Sequence, residues 1–220
     1  MNKSKQTYAS RVEIGFPKDR REWRSLPASF GEQRLAIGGH PVMEDWETGY
    51  MRRLAEVAGS KCGRVLEVGF GMGISARFLQ DLGVEEHVVI EANRDVYGRL
   101  LAFAREAPGR VLPMSGFWED IAPCFPDGSF SSILFDTYPL SEEEIHRNHF
   151  PFFREAYRLL KPGGVLTYYS DEAEGFSPEH RLALELAGFT DIRGEACEVE
   201  PPKDCVYWRE RTLIVPIVFK

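Results

Sequence analysis

The chain has 220 residues, enough for one large domain or one domain with an N-terminal extension, and a hydrophobic fraction of 43%, ordinary for a globular protein with a full core. Its net charge is −7, with no Lys/Arg run longer than two residues, so it lacks the basic stripe of a nucleic-acid binder. No apolar run approaches the roughly 20 residues that span a bilayer. The polar segment Met1 to Tyr8 carries no signal-peptide core, and a cytoplasmic location is expected.

Residues 1–40 are charged and loop-rich and read as an N-terminal extension, with residues 41–220 as the main domain. Trp23 stands alone in this polar stretch, either as a surface anchor or as a lid residue over a ligand. The first predicted helix starts at Pro41 and runs to about Ala58, ending before Gly59. Met43, Tyr50, Leu54, Val57 and Ala58 share one stripe of it. Glu47 falls inside that stripe, where a carboxylate is costly unless paired. It either meets an internal arginine such as Arg34 or Arg94, or points into a pocket to grip a cation.

Arg64 to Gly73 read R-V-L-E-V-G-F-G-M-G. Val65, Leu66 and Val68 form a short apolar strand, which breaks into Gly69, Gly71 and Gly73 before a helical stretch from Ile74 to Leu82. Glycines at alternate positions let the backbone approach a ligand closely, here at a helix N-terminus. The spacing E-x-G-x-G-x-G departs from the dinucleotide fingerprint and resembles the S-adenosylmethionine loop of class I methyltransferases. His87 to Ile90 form a second strand ending in Glu91, 22 residues after Gly69, where such sheets place an acceptor for ribose hydroxyls. Arg110 to Met114 and Ser131 to Phe135 are the third and fourth strands, followed by Trp118-Glu119 and by Asp136-Thr137-Tyr138. Trp118 either stacks on an adenine or packs in the core. Leu159 to Tyr168 read as a helix end, a Pro-Gly-Gly turn and a fifth strand. A short helix from Ser177 to Ala187 and two strands, Phe189 to Val199 and Arg211 to Phe219, complete a seven-stranded α/β sheet with helices on both faces.

Four cysteines, Cys62, Cys124, Cys197 and Cys205, are widely spaced and read as reduced thiols. His146 and His149 follow a predicted helix start at Ser141-Glu142-Glu143-Glu144 and read as surface residues, not metal ligands, so no metal is expected.

Ligands of open α/β sheets bind at the carboxyl ends of the strands, where strand order reverses. That places Asp136 beside the methyl group to be transferred, with Glu47 aimed at the same site. Two carboxylates suit a planar guanidinium. Such a pair would hold the plane and accept a proton as the C–N bond forms.

The sequence resembles the guanidinoacetate N-methyltransferase family from Trp23 to the C-terminus. The matching runs include Gly39 to Thr48, Gly63 to Met72, Ile90-Glu91, Gly116 to Asp120, Asp136 to Glu143 (D-T-Y-P-L-S-E-E), Arg158 to Tyr168, Pro201-Pro202 and Asp204-Cys205. The resemblance implies a Rossmann-like class I fold with an N-terminal lid bearing Trp23. It implies that Glu47 and Asp136 carry catalysis and grip the guanidino group, with Thr137 and Tyr138 beside them. Met43, Met51, the loop Gly69, Phe70, Gly71, Met72, Gly73, Ile74 and Ser75, the strand end Glu91, Ala92 and Asn93, and Trp118, Glu119 and Asp136 would hold S-adenosylmethionine. The chain departs from the family after Tyr168, where Asp171, Glu172 and Glu174 stand in the segment that receives the substrate carboxylate. Asp171 and Glu172 are expected to contact a small, guanidinoacetate-like guanidino substrate, and a larger neutral or cationic guanidine would fit as well; the alternative is that these acids are solvated on a surface loop. A methyltransferase for another small molecule, or a cofactor-binding protein without activity, are the alternatives. A monomer or homodimer is expected.

Overall fold

A computed structural model describes residues 15–220, so the first 14 residues of the predicted extension lie outside the described residues. Helix α1 (Arg20–Ser25) leads into three antiparallel strands, β1 (Ala28–Phe30), β2 (Arg34–Ile37) and β3 (His40–Glu44). A 3-10 turn (Asp45–Glu47) then starts α2 (Thr48–Gly59). Next come β4 (Arg64–Val68), α3 (Ile74–Asp81), β5 (Glu86–Glu91), α4 (Arg94–Glu106), β6 (Val111–Ser115) and α5 (Trp118–Ile121). The chain finishes with β7 (Phe130–Phe135), α6 (Phe152–Leu159), β8 (Leu160–Tyr168), α7 (Pro178–Ala187), β9 (Asp191–Glu198) and β10 (Thr212–Phe219).

The main sheet runs β6-β5-β4-β7-β8-β10-β9. The first five strands in that order pair in parallel, and β10 pairs antiparallel to both β8 and β9. The chain winds outward from β4 through β5 to β6, then returns to β7 on the other flank of β4. Strand order thus reverses between β4 and β7, and the ligand crevice of this architecture opens at their carboxyl ends. Helices cover both faces, so the central strands are buried almost throughout, as their unbroken apolar runs require. One core cluster gathers Leu54, Ala58, Leu79, Leu100 and Val215. The other gathers Leu66, Ile133, Phe153, Leu159 and Leu184. The edge strand β9 carries alternating charges, Asp191, Arg193 and Glu195, which discourage pairing with another sheet.

Three predicted elements are corrected. The helix expected from Pro41 begins only after Glu44, because His40–Glu44 pair with Arg34–Ile37 as a hairpin. Pro41 sits beside the register shift between Leu35 and Ala36, where a missing N–H is tolerated. The helix start is marked instead by a capping box between Glu44 and Glu47. The Pro-Gly-Gly turn is an irregularity within β8: Phe130 pairs with Leu160 and Ser132 with Val165, so Lys161–Gly164 bulge out. The segment after Ser141 forms successive turns rather than a helix. His149 is buried, not a surface residue, and its ring stacks on Tyr168 at 4.9 Å. All four cysteines are free.

Candidate active site

The carboxyl ends of β4, β5 and β7 meet under the N-terminal hairpin around a cavity of about 380 Å³. Hydrogen bonds continue the sheet past the strands: Gly69 N–H donates to the Ile90 carbonyl (2.9 Å) and Asp136 N–H to the Val68 carbonyl (2.9 Å). This brings the glycine loop and Asp136 together. A Cβ on Gly69 would stand 1.8 Å from the Asp136 carbonyl oxygen, and its φ of +92° is itself open chiefly to glycine. Gly71 (φ +53°) lies under Met43, whose sulfur and terminal methyl would be 3.0 Å from an added Cβ. Gly73 starts α3 in the left-handed region with no side-chain cap, leaving the helix N-terminus to other acceptors.

Glu91 ends β5 beside that loop. It is 7% exposed, and accepts hydrogen bonds from the N–H groups of Phe70 (2.9 Å) and Asn93 (2.7 Å). Burial pushes its pKa up, against the pull of these backbone donors. Asn93 caps α4 through its side-chain oxygen and ties down the N-terminal segment, its Nδ2 donating to the carbonyls of Trp23 and Leu26 at 2.9 Å each. Trp23 in turn stacks on Tyr138, rings 4.9 Å apart and 9° from parallel. Helix α1 and strands β2 and β3 thereby roof the cavity with Trp23, Leu35, Ile37, Val42 and Met43.

Opposite, Glu47 is 2% exposed and lines the cavity with Asp136. The side chains that meet it are not arginines. Tyr207 donates its hydroxyl hydrogen to Oε1, which also accepts from the Glu44 N–H (2.8 Å). Burial raises the Glu47 pKa to about 7, although these donors and the Tyr169 hydroxyl work to lower it. A buried carboxylate met by neutral donors keeps a demand for positive charge.

Of the residues singled out in the sequence, Trp23, Met43, Glu47, Gly69, Gly71, Glu91, Ala92, Trp118, Glu119, Asp136, Thr137, Tyr138 and Asp171 line this cavity. Trp118 does so while packing edge-on against Phe135 and Phe152, the core contact that was its alternative reading. Met51 and Ile74 are core residues off the cavity wall. The Phe70 ring turns away to meet Phe103, Met72 N–H donates to the Met43 sulfur (3.4 Å), and Ser75 donates to the buried Glu67. Asn93 serves as cap and tether off the wall. Glu172 also stands off the wall, accepting from the Ser177 N–H (3.0 Å) with His180 Nδ1 3.3 Å away. Burial pushes its carboxyl up, but these partners outweigh that and hold it low. Glu174 is exposed. Sequence reasoning missed Tyr207, Tyr169, Asn148 and Arg20, all on the cavity wall. Tyr207, next to the Pro201-Pro202 to Cys205 run, and Tyr169, next to the Arg158 to Tyr168 run, had a nearby signal.

The model of the guanidinoacetate N-methyltransferase family matches residues 17–220. The chain belongs to that family. Guanidinoacetate N-methyltransferases are S-adenosylmethionine-dependent, and so is this one. Among curated proteins, the protein arginine N-methyltransferase 2 of Aspergillus fumigatus is 36% identical over 178 residues, 74% of this chain and 39% of that protein. The protein of the same name from Eremothecium gossypii is 31% identical over 137 residues, 59% of this chain and 32% of that protein. The chain spans about a third of the length of these relatives. Among solved structures, spermidine synthase from Thermotoga maritima superposes with a TM-score of 0.59 at 16% identity, over 88% of this chain and 72% of that one. A SAM-dependent methyltransferase from Aquifex aeolicus gives 0.51 at 19%, over 76% and 87%. These two share the fold.

The residues present fit the cofactor of this family. Gly69 and Gly71 leave room that a Cβ would fill, the N-terminus of α3 is uncapped, and the buried Glu91 carboxylate still has lone pairs for hydroxyl donors. Among the described residues no helix is long and apolar enough to cross a membrane.

Proposed function

We propose that this methyltransferase acts on a guanidino nitrogen of a small molecule. The observation that carries the reading is the buried Glu47 carboxylate, which faces the cavity with Asp136 and, among the described residues, meets neutral donors: Tyr207, Tyr169 and a backbone N–H. A guanidinium presents paired N–H donors in one plane and fits two carboxylates better than an ammonium does. S-adenosylmethionine supplies an electrophilic methyl group. Glu47 and Asp136 fix the acceptor plane and leave one nitrogen facing that group, and the entropy of alignment is met on binding. As the new C–N bond forms, that nitrogen sheds a proton, which a carboxylate with a pKa near 7 can take. Thr137 and Tyr138 complete the acceptor wall. Asn148 holds Thr137 by its carbonyl and its hydroxyl (3.1 Å). We assign Glu91 to the ribose and the segment up to residue 40, with Trp23, to the lid.

The names of the curated relatives favour a second acceptor, the guanidino group of an arginine in a polypeptide. Labelled methyl transfer separates the two. The purified protein is offered guanidinoacetate, agmatine, arginine and an arginine-containing peptide. Transfer to a free guanidine is expected. Transfer to the peptide alone would overturn the small-molecule reading, and transfer to none, with cofactor bound, would overturn the guanidine itself.

A further inference from the structure

We infer that Asn148 is a positioning residue for methyl transfer: it fixes the backbone that carries Asp136, and through it the alignment of the acceptor; this rests on the guanidine reading above. Strand β7 ends at Phe135, and the sheet holds the chain for one residue more. Tyr169 N–H donates to the Phe135 carbonyl (3.0 Å) and Asp136 N–H to the Val68 carbonyl (2.9 Å). At Thr137 the chain leaves the sheet, and there Asn148 takes over. Its Nδ2 donates to the Thr137 carbonyl and to the Thr137 Oγ1 (3.1 Å). A carbonyl only accepts, so the amide nitrogen is the atom that faces it, and its two hydrogens serve two oxygens of one residue. That fork sets the peptide plane after Thr137 and the Thr137 rotamer together.

The segment that bears Asn148 is itself anchored. Ile145 and His149 are each 1% exposed, and the His149 ring packs on Tyr168 from β8. Glu144 Oε2 accepts from the Leu140 N–H (2.7 Å), a second tie from this segment to the run that follows β7. Core residues thus hold the segment from behind, while Glu144 and Asn148 reach forward to the residues after Asp136. Both also line the cavity, with Asp136, Thr137 and Tyr138. Tyr138 stacks on Trp23, so the same short run carries a contact with the roof as well as the carboxylate. A carboxylate that aligns an acceptor must be placed to within about 0.5 Å, and a shift of about 1 Å can cost on the order of a hundredfold in rate. Asn148 stands between Asp136–Glu143 and Arg158–Tyr168, outside the runs that carry the family resemblance.

Steady-state kinetics with the better of guanidinoacetate and agmatine test this. Asn148→Ala removes the fork. It should lower kcat by about tenfold or more, with KM within about threefold, because Glu47 still grips the acceptor, and with S-adenosylmethionine affinity within about twofold. The limbs of the pH profile should keep their positions, since the substitution changes no charge. Thr137→Val removes one leg of the fork and should lower kcat by about threefold, again with KM and cofactor affinity little changed. Arg147→Ala, in the same segment but paired outward with Glu179, should leave all of these as they are. A kcat that survives Asn148→Ala overturns the inference and leaves the guanidine reading standing. So does a rise in KM alone, which would make Asn148 a direct contact of the acceptor. So does a loss of cofactor affinity as large as the loss in kcat, which would make it a support of the whole cavity. Should Asn148→Ala not fold, Thr137→Val decides alone, and an unchanged kcat there overturns the inference. No transfer to any guanidine by the unmodified protein, with S-adenosylmethionine bound, overturns both.

Discussion

Tyr207 and Glu47, 160 residues apart in the chain, share a buried hydrogen bond in the cavity wall. The carboxylate comes from the turn before α2 and the phenol from the loop between β9 and β10, so the last segment of the fold completes a residue placed by the first third. The bond favours the charged form of Glu47 against burial, which acts the other way. A hydrogen bond to a charged group is worth about 1.5–3 kcal/mol.

Tyr207→Phe should therefore raise the Glu47 pKa above its present value of about 7. If the charged carboxylate grips the acceptor, the acidic limb of the kcat/KM profile moves to higher pH, while cofactor affinity stays within about twofold. A profile that falls in height without moving would mean that Tyr207 only fills space.

Glu47 also makes stability depend on pH. Its folded pKa of about 7 lies above the ordinary 4.5, so the folded state holds a proton that the unfolded chain has released. Stability from this group is full below about pH 4.5 and is lost as pH rises through about 7, by an amount on the order of 3 kcal/mol. Denaturant titrations of the ligand-free protein at pH 5 and pH 8 should show the loss, and Glu47→Gln should flatten it. An equal slope in both proteins would place the titration elsewhere.

Glu91→Gln keeps the shape of the side chain but removes its charge. It should weaken S-adenosylmethionine binding at least tenfold, as two charge-assisted bonds of roughly 1.5–3 kcal/mol each become neutral ones. Calorimetry measures this directly. Unchanged affinity would take the ribose away from Glu91. Phe70 and Asn93 donate to different oxygens of Glu91, so one of these N–H groups loses its acceptor in this variant, and thermal unfolding should show a modest loss of stability beside the loss of affinity.

Two glycines with positive φ separate strain from collision. Gly83 (φ +70°) has open space around its missing Cβ, so Gly83→Ala should cost only the left-handed backbone penalty, about 1–2 kcal/mol. Gly69→Ala adds a backbone collision with Asp136 that no rotamer relieves, and should cost more than about 3 kcal/mol while abolishing cofactor binding. Thermal unfolding of the pair checks the contrast. Equal costs would mean that Asp136 yields easily.

The elements of the main sheet were legible because each carried a local signal. An apolar run ended in glycine or an acid, and Ser177 opened a short helix, whereas the helix capped by Asn93 was not read. Pro41 misled, since the same residue favours a helix start and tolerates a strand irregularity, and only pairing with β2 decides between them. That pairing explains Glu47: it lies at the turn into α2, where its oxygen satisfies the Glu44 N–H, not in mid-helix. The cavity residues that share one local run, Gly69 with Gly71 and Asp136 with Tyr138, were readable together. Tyr207 and Tyr169 were not, because what makes them part of the site is a contact with Glu47 made across the whole chain.

Asn93 uses its oxygen on the first turn of α4 and its nitrogen on two carbonyls of the segment that bears Trp23. Lifting that segment breaks one buried and one partly buried hydrogen bond and loosens a helix cap, so it is a local unfolding event and not the swing of a free hinge. The amide protons of Asp95 and Val96, which that oxygen holds, then exchange with solvent at the frequency with which a residue 70 positions earlier lets go. Any ligand seated under Trp23 slows that clock without touching either amide.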